Sequence, residues 1–148
     1  MFSQTQDYAL RAIIWIAQQE EAKPYGNEQI ARGTKVAPSY MAKVLQHLTE
    51  ADILGSRRGV GGGFHLIRDI DELTVLEVIN AVDPIVRITA CPLDLTTHRD
   101  CRCPMHARLD EALGLVERAL RKSTIRDVLY EKGRPPPLQD THSSNRRS

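Results

Sequence analysis

No stretch of this sequence approaches the roughly 20 apolar residues that a membrane-crossing helix needs. Its longest apolar run, near Ala9 to Ala17, is interrupted by Arg11. The start of the chain lacks a basic region followed by an apolar stretch and a small-residue cleavage site, so neither a membrane nor secretion is expected, and the cytoplasm is the expected location. Cysteine is scarce. The three present, Cys91, Cys101 and Cys103, are odd in number and crowd into one segment, which argues against a disulfide framework and for a metal or redox site. Charge of one sign is also missing: the formal net charge is +1, so any nucleic-acid surface has to show in the distribution of charge and not in its sum. No internal repeat is visible, and 148 residues leave no room for a large two-domain enzyme.

What is present reads as an ordinary soluble globular chain, 41% hydrophobic and 26% charged, which excludes disorder as the default. From about Gln4 to Gln19, Ala9, Ala12, Ile13, Ile16 and Ala17 follow helical spacing while Leu10, Ile14 and Trp15 lie on other faces, so this helix is covered on more than one side. After a Lys-Pro-Tyr-Gly turn, Asn27 is the expected N-cap of a short helix from Glu28 to about Gly33. A third helix opens near Pro38, with Met41, Val44, Leu45 and Leu48 as its apolar stripe. Two short helices about four residues apart, the second apolar on one face and polar on the other, meet the requirement of a helix-turn-helix. Residues 56–67 then read as two short strands around a glycine-rich turn, a wing. Gly59-Val60-Gly61-Gly62-Gly63 is no nucleotide-binding loop on this reading, because a strand and not a helix follows it. A helix from Val75 to Val82 carries the capping-box pair Thr74 and Glu77 and stops at Asp83-Pro84.

The remainder divides into a loop from Ile85 to about Pro104, a long amphipathic helix from about Met105 to Arg121, and a tail expected to be disordered. The stripe Leu109, Ala112, Leu113, Val116, Ala119 and Leu120 needs a surface to cover it, and a second copy of the chain is the economical one. The expected organisation is thus a winged helix-turn-helix over 1–84, a cysteine-bearing sensor loop over 85–104, a dimerisation helix over 105–130, and the tail over 131–148. The fold class is mainly α with a small β-hairpin wing and a long C-terminal dimerisation helix.

Between Arg32 and Arg68 stand six basic residues, Arg32, Lys35, Lys43, Arg57, Arg58 and Arg68, against the acids Glu50 and Asp52. Positive charge is therefore concentrated where a recognition helix and a wing would meet DNA. The N-terminal part of the second helix of such a motif enters the major groove, which nominates Ser39, Tyr40 and Lys43 for base and phosphate contacts. Arg57, Arg58 and Gly59 of the wing would lie along the backbone or the minor groove.

Asp7-Tyr8-Ala9-Leu10-Arg11-Ala12, Tyr40-Met41-Ala42-Lys43-Val44-Leu45, the wing Arg58-Gly59-Val60-Gly61-Gly62-Gly63-Phe64 and Glu77-Val78-Ile79-Asn80-Ala81-Val82-Asp83 together resemble the Rrf2 family of transcriptional regulators, over residues 1 to about 130. The resemblance implies a homodimeric winged-helix transcription factor on double-stranded promoter DNA, often a repressor, with no enzymatic activity and no small-molecule substrate. It also implies an iron-sulfur cluster, [2Fe-2S] or [4Fe-4S], through which redox, nitric-oxide or iron-sulfur status is sensed. Where the family places Gly in the turn of the helix-turn-helix, this chain has Lys35.

Thiolates suit iron-sulfur clusters and zinc, and three of them leave a fourth coordination place open. Cys91-Pro92-Leu93 and Cys103-Pro104-Met105-His106 look like the family's first and last cysteine positions, whereas Cys101 is displaced from the usual middle one. His98 lies nearer that middle position and is an alternative ligand. In NsrR-like members an aspartate of the partner's first helix completes the cluster, and Asp7 matches it. His106 competes for the same place, and an acid at Asp7 also suits the helix dipole. Free thiols in a cluster-less, thiol-based or protein-partner-controlled regulator of the same fold are the alternative function. A thiol enzyme built on Cys103 and His106 lacks an orienting third group.

Overall fold

The computed structural model describes residues 2–140. Helix α1 (Gln4–Ala17) starts from a capping box in which the Ser3 hydroxyl accepts the Gln6 N–H and the Gln6 carboxamide oxygen accepts the Ser3 N–H. The Gln6 side-chain amide also donates to the Asp83 carbonyl at 2.7 Å. Both α1 faces are covered, as its spread of apolar residues requires: Ala9, Ala12, Ile13, Ile14 and Ile16 are all buried.

Helix α2 (Asn27–Thr34) begins one residue earlier than expected, with Gly26 and not Asn27 as its N-cap. The reason is Gln29, whose side-chain oxygen reaches back to accept the Gly26 N–H at 2.9 Å. That frees the Asn27 amide, which donates to the Pro38 carbonyl at 3.0 Å and ties the start of α2 to the start of α3 (Pro38–Glu50). Between them Lys35 takes the left-handed conformation, φ 56° and ψ 43°. Met41, Val44, Leu45 and Leu48 of α3 are buried, the stripe expected from their spacing.

Strands β1 (Leu54–Arg57) and β2 (Gly63–Leu66) pair antiparallel, with Leu54 opposite Leu66 and Arg57 opposite Gly63. The hairpin begins two residues before the expected start because Leu54, fully buried, belongs to the core. Gly63 has φ 138°, and a Cβ there would overlap the Tyr25 carbonyl. This close approach lets Tyr25 and Phe64 exchange two backbone hydrogen bonds at 2.8 and 2.9 Å, which root the wing on the turn after α1.

Helix α4 (Val75–Val82) is capped by Thr74 with Glu77, as its sequence indicates. Helix α5 (Pro104–Lys122) follows the cysteine loop, and α6 (Ile125–Tyr130) folds back, capped by Thr124. The Val75 N–H donates to the Ser123 carbonyl and the Ile125 N–H to the Leu73 carbonyl, both at 2.9 Å. One apolar core joins α1 to α4, β1 and α6, with Ile13, Ile30, Met41, Leu45, Leu48, Leu54, Leu73, Ile79 and Ile125 fully buried. Each such side chain contributes on the order of 1.5–3 kcal/mol relative to exposure.

Helix α5 stands apart, because none of its apolar residues is buried. Its buried residues are Asp110 and Gly114; of its stripe, Leu120 packs against the core, Leu113 and Val116 are half-buried, and Leu109, Ala112 and Ala119 are exposed. Tail residues up to Asp140 run beside α1 and the helix-turn-helix turn, where the Gln18 side chain donates to the Pro137 carbonyl at 2.7 Å. The rest of the expected disordered tail lies outside the described residues. No described helix is long and apolar enough to cross a membrane.

Candidate functional site

The burial of Met41, Val44, Leu45 and Leu48 turns the opposite face of α3 outward, so Ser39, Tyr40 and Lys43 are all exposed. Tyr40 and Lys43 share a shallow pocket with Gln4, Thr5, Tyr8 and His47. Arg57, Arg58 and Gly59 are exposed on the wing, and Gly59 and Gly61 take positive φ, as a tight glycine turn requires. Among the described residues Lys43, Arg57 and Arg58 enter no ion pair, so their charges remain available to an anionic partner. Arg68 is different. It pairs with Glu77 at 3.0 Å and so leaves the basic cluster in which the sequence places it.

The loop over 85–104 holds one short 3-10 turn, Thr96–His98. That turn brings His98 back so that its Nδ1 stands 3.4 Å from the Cys91 sulfur. At the other end Cys103 is the N-cap of α5, and the first helical turn places His106 Nδ1 3.3 Å from its sulfur. Cys101 is exposed, its thiol directed to the Arg102 carbonyl. Asp7 pairs with Arg11 at 2.6 Å, and Arg11 also donates to the Thr34 carbonyl. Four of the six candidate ligands therefore stand in two thiol–imidazole pairs, with Cys101 and Asp7 outside them. No three His, Cys, Asp or Glu side chains form one metal-sized group among the described residues.

Sequence reading missed a polar cluster at the loop's ends. Arg87 binds both oxygens of Asp110, at 2.7 and 2.8 Å, and reaches Glu117 at 3.1 Å. Asp110 also accepts the Ile88 N–H at 2.9 Å and pairs with Arg102. The Arg87 guanidinium above all, helped by Arg102 and the Ile88 N–H, holds the Asp110 carboxyl well below the usual carboxylate range, although burial acts in the opposite direction. The available signal was an acid placed among Leu109, Leu113 and Ala112 on the supposed dimer helix, with arginines on both flanks of the cysteines.

On the adjoining face of α5, Leu109, Ala112, Leu113 and Val116 line an apolar groove of about 340 Å³ with Phe2, Ile85 and Ile88. An apolar face of this kind on a single chain marks an interaction surface.

A family model described as Rrf2, iron-dependent transcriptional regulator, matches residues 2–131. Among curated proteins, the chain is 29% identical over 147 residues to the HTH-type transcriptional regulator IscR of Salmonella paratyphi B, covering 95% of this chain and 87% of that one. It is 26% identical over 132 residues to an HTH-type transcriptional regulator of Aquifex aeolicus, covering 87% and 91%. Among solved structures, T. potens IscR superposes with a TM-score of 0.68 at 20% identity, over 87% of this chain and 85% of that one. CymR, the global cysteine regulator of B. subtilis, superposes with a TM-score of 0.67 at 21% identity, over 86% and 94%.

Proposed function

This chain belongs to the Rrf2 family of transcriptional regulators, DNA-binding proteins and not enzymes, and from that premise we propose that it acts in the cytoplasm as a homodimer on double-stranded promoter DNA, as a repressor whose cysteine loop reads the signal. The observation that carries the proposal is the exposed face of α3 and the wing, where Lys43, Arg57 and Arg58 stand without acidic partners. In the docking geometry of a winged helix-turn-helix, Ser39, Tyr40 and Lys43 enter the major groove. Arg57 and Arg58, with the Gly59 backbone, follow the phosphates and the minor groove. A second copy seated on the groove of Leu109, Leu113 and Val116 would set the spacing of the two recognition helices.

The signal in this reading is redox, nitric-oxide or iron-sulfur status. Three thiols and two imidazoles in one segment have the donor chemistry of an iron-sulfur site. Cys91, Cys101 and Cys103 would hold a [2Fe-2S] or [4Fe-4S] cluster, with Asp7, His98 or His106 in the fourth place, and the cluster would supply a centre sensitive to oxidants and nitric oxide. One chain gathers these donors only two by two, so a complete ligand set needs further closure of the loop or a residue of the second copy. The pairs Cys91–His98 and Cys103–His106 favour a second reading, in which reduced thiols themselves respond without a cluster.

The test is anaerobic purification with iron, sulfide and visible absorbance analysis, then binding of the intact and cluster-free forms to duplex DNA from upstream of the chain's own gene. Stoichiometric iron and sulfide with a change of DNA affinity on their removal support the cluster reading. Protein without either, whose DNA affinity nonetheless shifts on thiol alkylation, supports the thiol reading.

A further inference from the structure

Arg102 lies between Cys101 and Cys103, yet its side chain turns away from both and crosses to the other end of the loop. Its Nη1 donates to the Ile88 carbonyl at 2.9 Å and pairs with Asp110. Asp110 holds the Ile88 N–H as well. Residues 88 and 102 are thereby fastened to each other and to α5, and residues 89–101 form a lobe closed at its neck. Cys91, His98 and Cys101 ride on this lobe, while Cys103 and His106 sit outside it on α5.

We propose that Arg102 is a positioning residue that latches the loop with its donors apart, so that gathering the cysteines onto one metal centre requires the latch to open. With the latch shut, Cys91–His98 and Cys103–His106 stand as separate pairs and Cys101 stands outside both. Cys101 and Cys103 are the two chain neighbours of the pinned residue and cannot regroup freely around it. An interaction made only in the latched arrangement lowers metal affinity by its own equilibrium factor.

Asp110 is built to survive the release. It is 4% exposed and keeps the two-point Arg87 contact and the Ile88 N–H when Arg102 leaves, so no buried charge is orphaned. Asp110 also lies between Leu109 and Ala112 on α5, so opening the latch alters the polar anchorage of the helix that lines the apolar groove.

This inference rests on the reading of the loop as a metal-ligating sensor, and cobalt(II) binding to the full-length, reduced, metal-free protein separates the two. The thiolate-to-cobalt absorption reports ligation, and circular dichroism with thermal unfolding reports whether each variant is folded. Arg102→Ala is expected to bind cobalt(II) about tenfold more tightly than the parent, the factor expected for loss of one charge-assisted contact. Arg102→Lys, whose shorter side chain carries an amine toward the place of Nη1 but reaches less far, is expected to fall between. Equal or weaker binding by Arg102→Ala, with the parent binding normally, overturns the latch and leaves the metal-ligating loop intact. Absence of the absorption from parent and variant alike overturns both. A merely structural role would loosen the protein and weaken the metal site, the opposite direction. Should Arg102→Ala fail to fold, the Arg102→Lys affinity decides: tighter than the parent supports the latch, equal or weaker overturns it.

Discussion

The indole of Trp15 on α1 lies directly over Gly33 on α2, so close that a Cβ at position 33 would overlap its Nε1 and Cε2. Tyr25 holds the same ring edge-on, with centroids 5.3 Å apart. The first helix of the helix-turn-helix is thus seated on α1 through a glycine chosen for contact, since Gly33 has no unusual backbone angle. Gly33→Ala is expected to destabilise the protein by about 1–3 kcal/mol, the usual result of forcing a methyl into a packed site. Denaturant unfolding checks this, and unchanged stability would show that the ring yields without cost.

Lys35 makes the opposite prediction. Its left-handed conformation at the end of α2 is one that a side chain disfavours and glycine accepts. Lys35→Gly is expected to raise stability by about 0.5–1 kcal/mol, read from the same unfolding curves.

The two parts of the DNA face are expected to differ in kind. Arg57→Ala and Arg58→Ala should weaken binding to any duplex alike and each lower the slope of log affinity against log salt by about 1. Ser39→Ala and Lys43→Ala should cost about 1–3 kcal/mol on the preferred sequence and less on random duplex. Binding isotherms at several salt concentrations on both duplexes separate these outcomes. Equal losses on the two duplexes for the α3 variants would remove base reading from that helix.

Asp110 supplies a pH prediction. A carboxyl held below its ordinary range by Arg87 and Arg102 contributes stability that is fully present above the unfolded-state value of about 4 and lost as pH falls through the lower folded value. Asp110→Asn is therefore expected to be less stable than the parent at neutral pH, with the gap narrowing below about pH 4. Urea midpoints from pH 7 down to pH 3 measure it, and a gap that is constant with pH would contradict the ion-pair assignment.

Elements whose formation is local were legible in the residues. The spacing of Met41, Val44, Leu45 and Leu48 gives α3, and Thr74 with Glu77 starts α4, because helix periodicity and capping involve neighbours in the chain. Asn27 misled for the same reason: it is a good cap residue, but Gln29 competed for the same end of α2. Arg68 counted as a DNA cation only until the fold brought Glu77, nine residues away, within 3.0 Å.

The sequence by itself determined the helix-turn-helix, the wing and the segment in which the thiols lie, since each rests on side-chain period, turn chemistry or residue type within a few positions. Only the tertiary structure decided how α1 meets α2, with Trp15 over Gly33, and which side of α5 is docked. It also decided that Arg87 and Arg102, 15 positions apart, converge on Asp110. Those arrangements depend on long-range packing and on ion pairs between distant residues, and no local pattern encodes which of several acids an arginine will find.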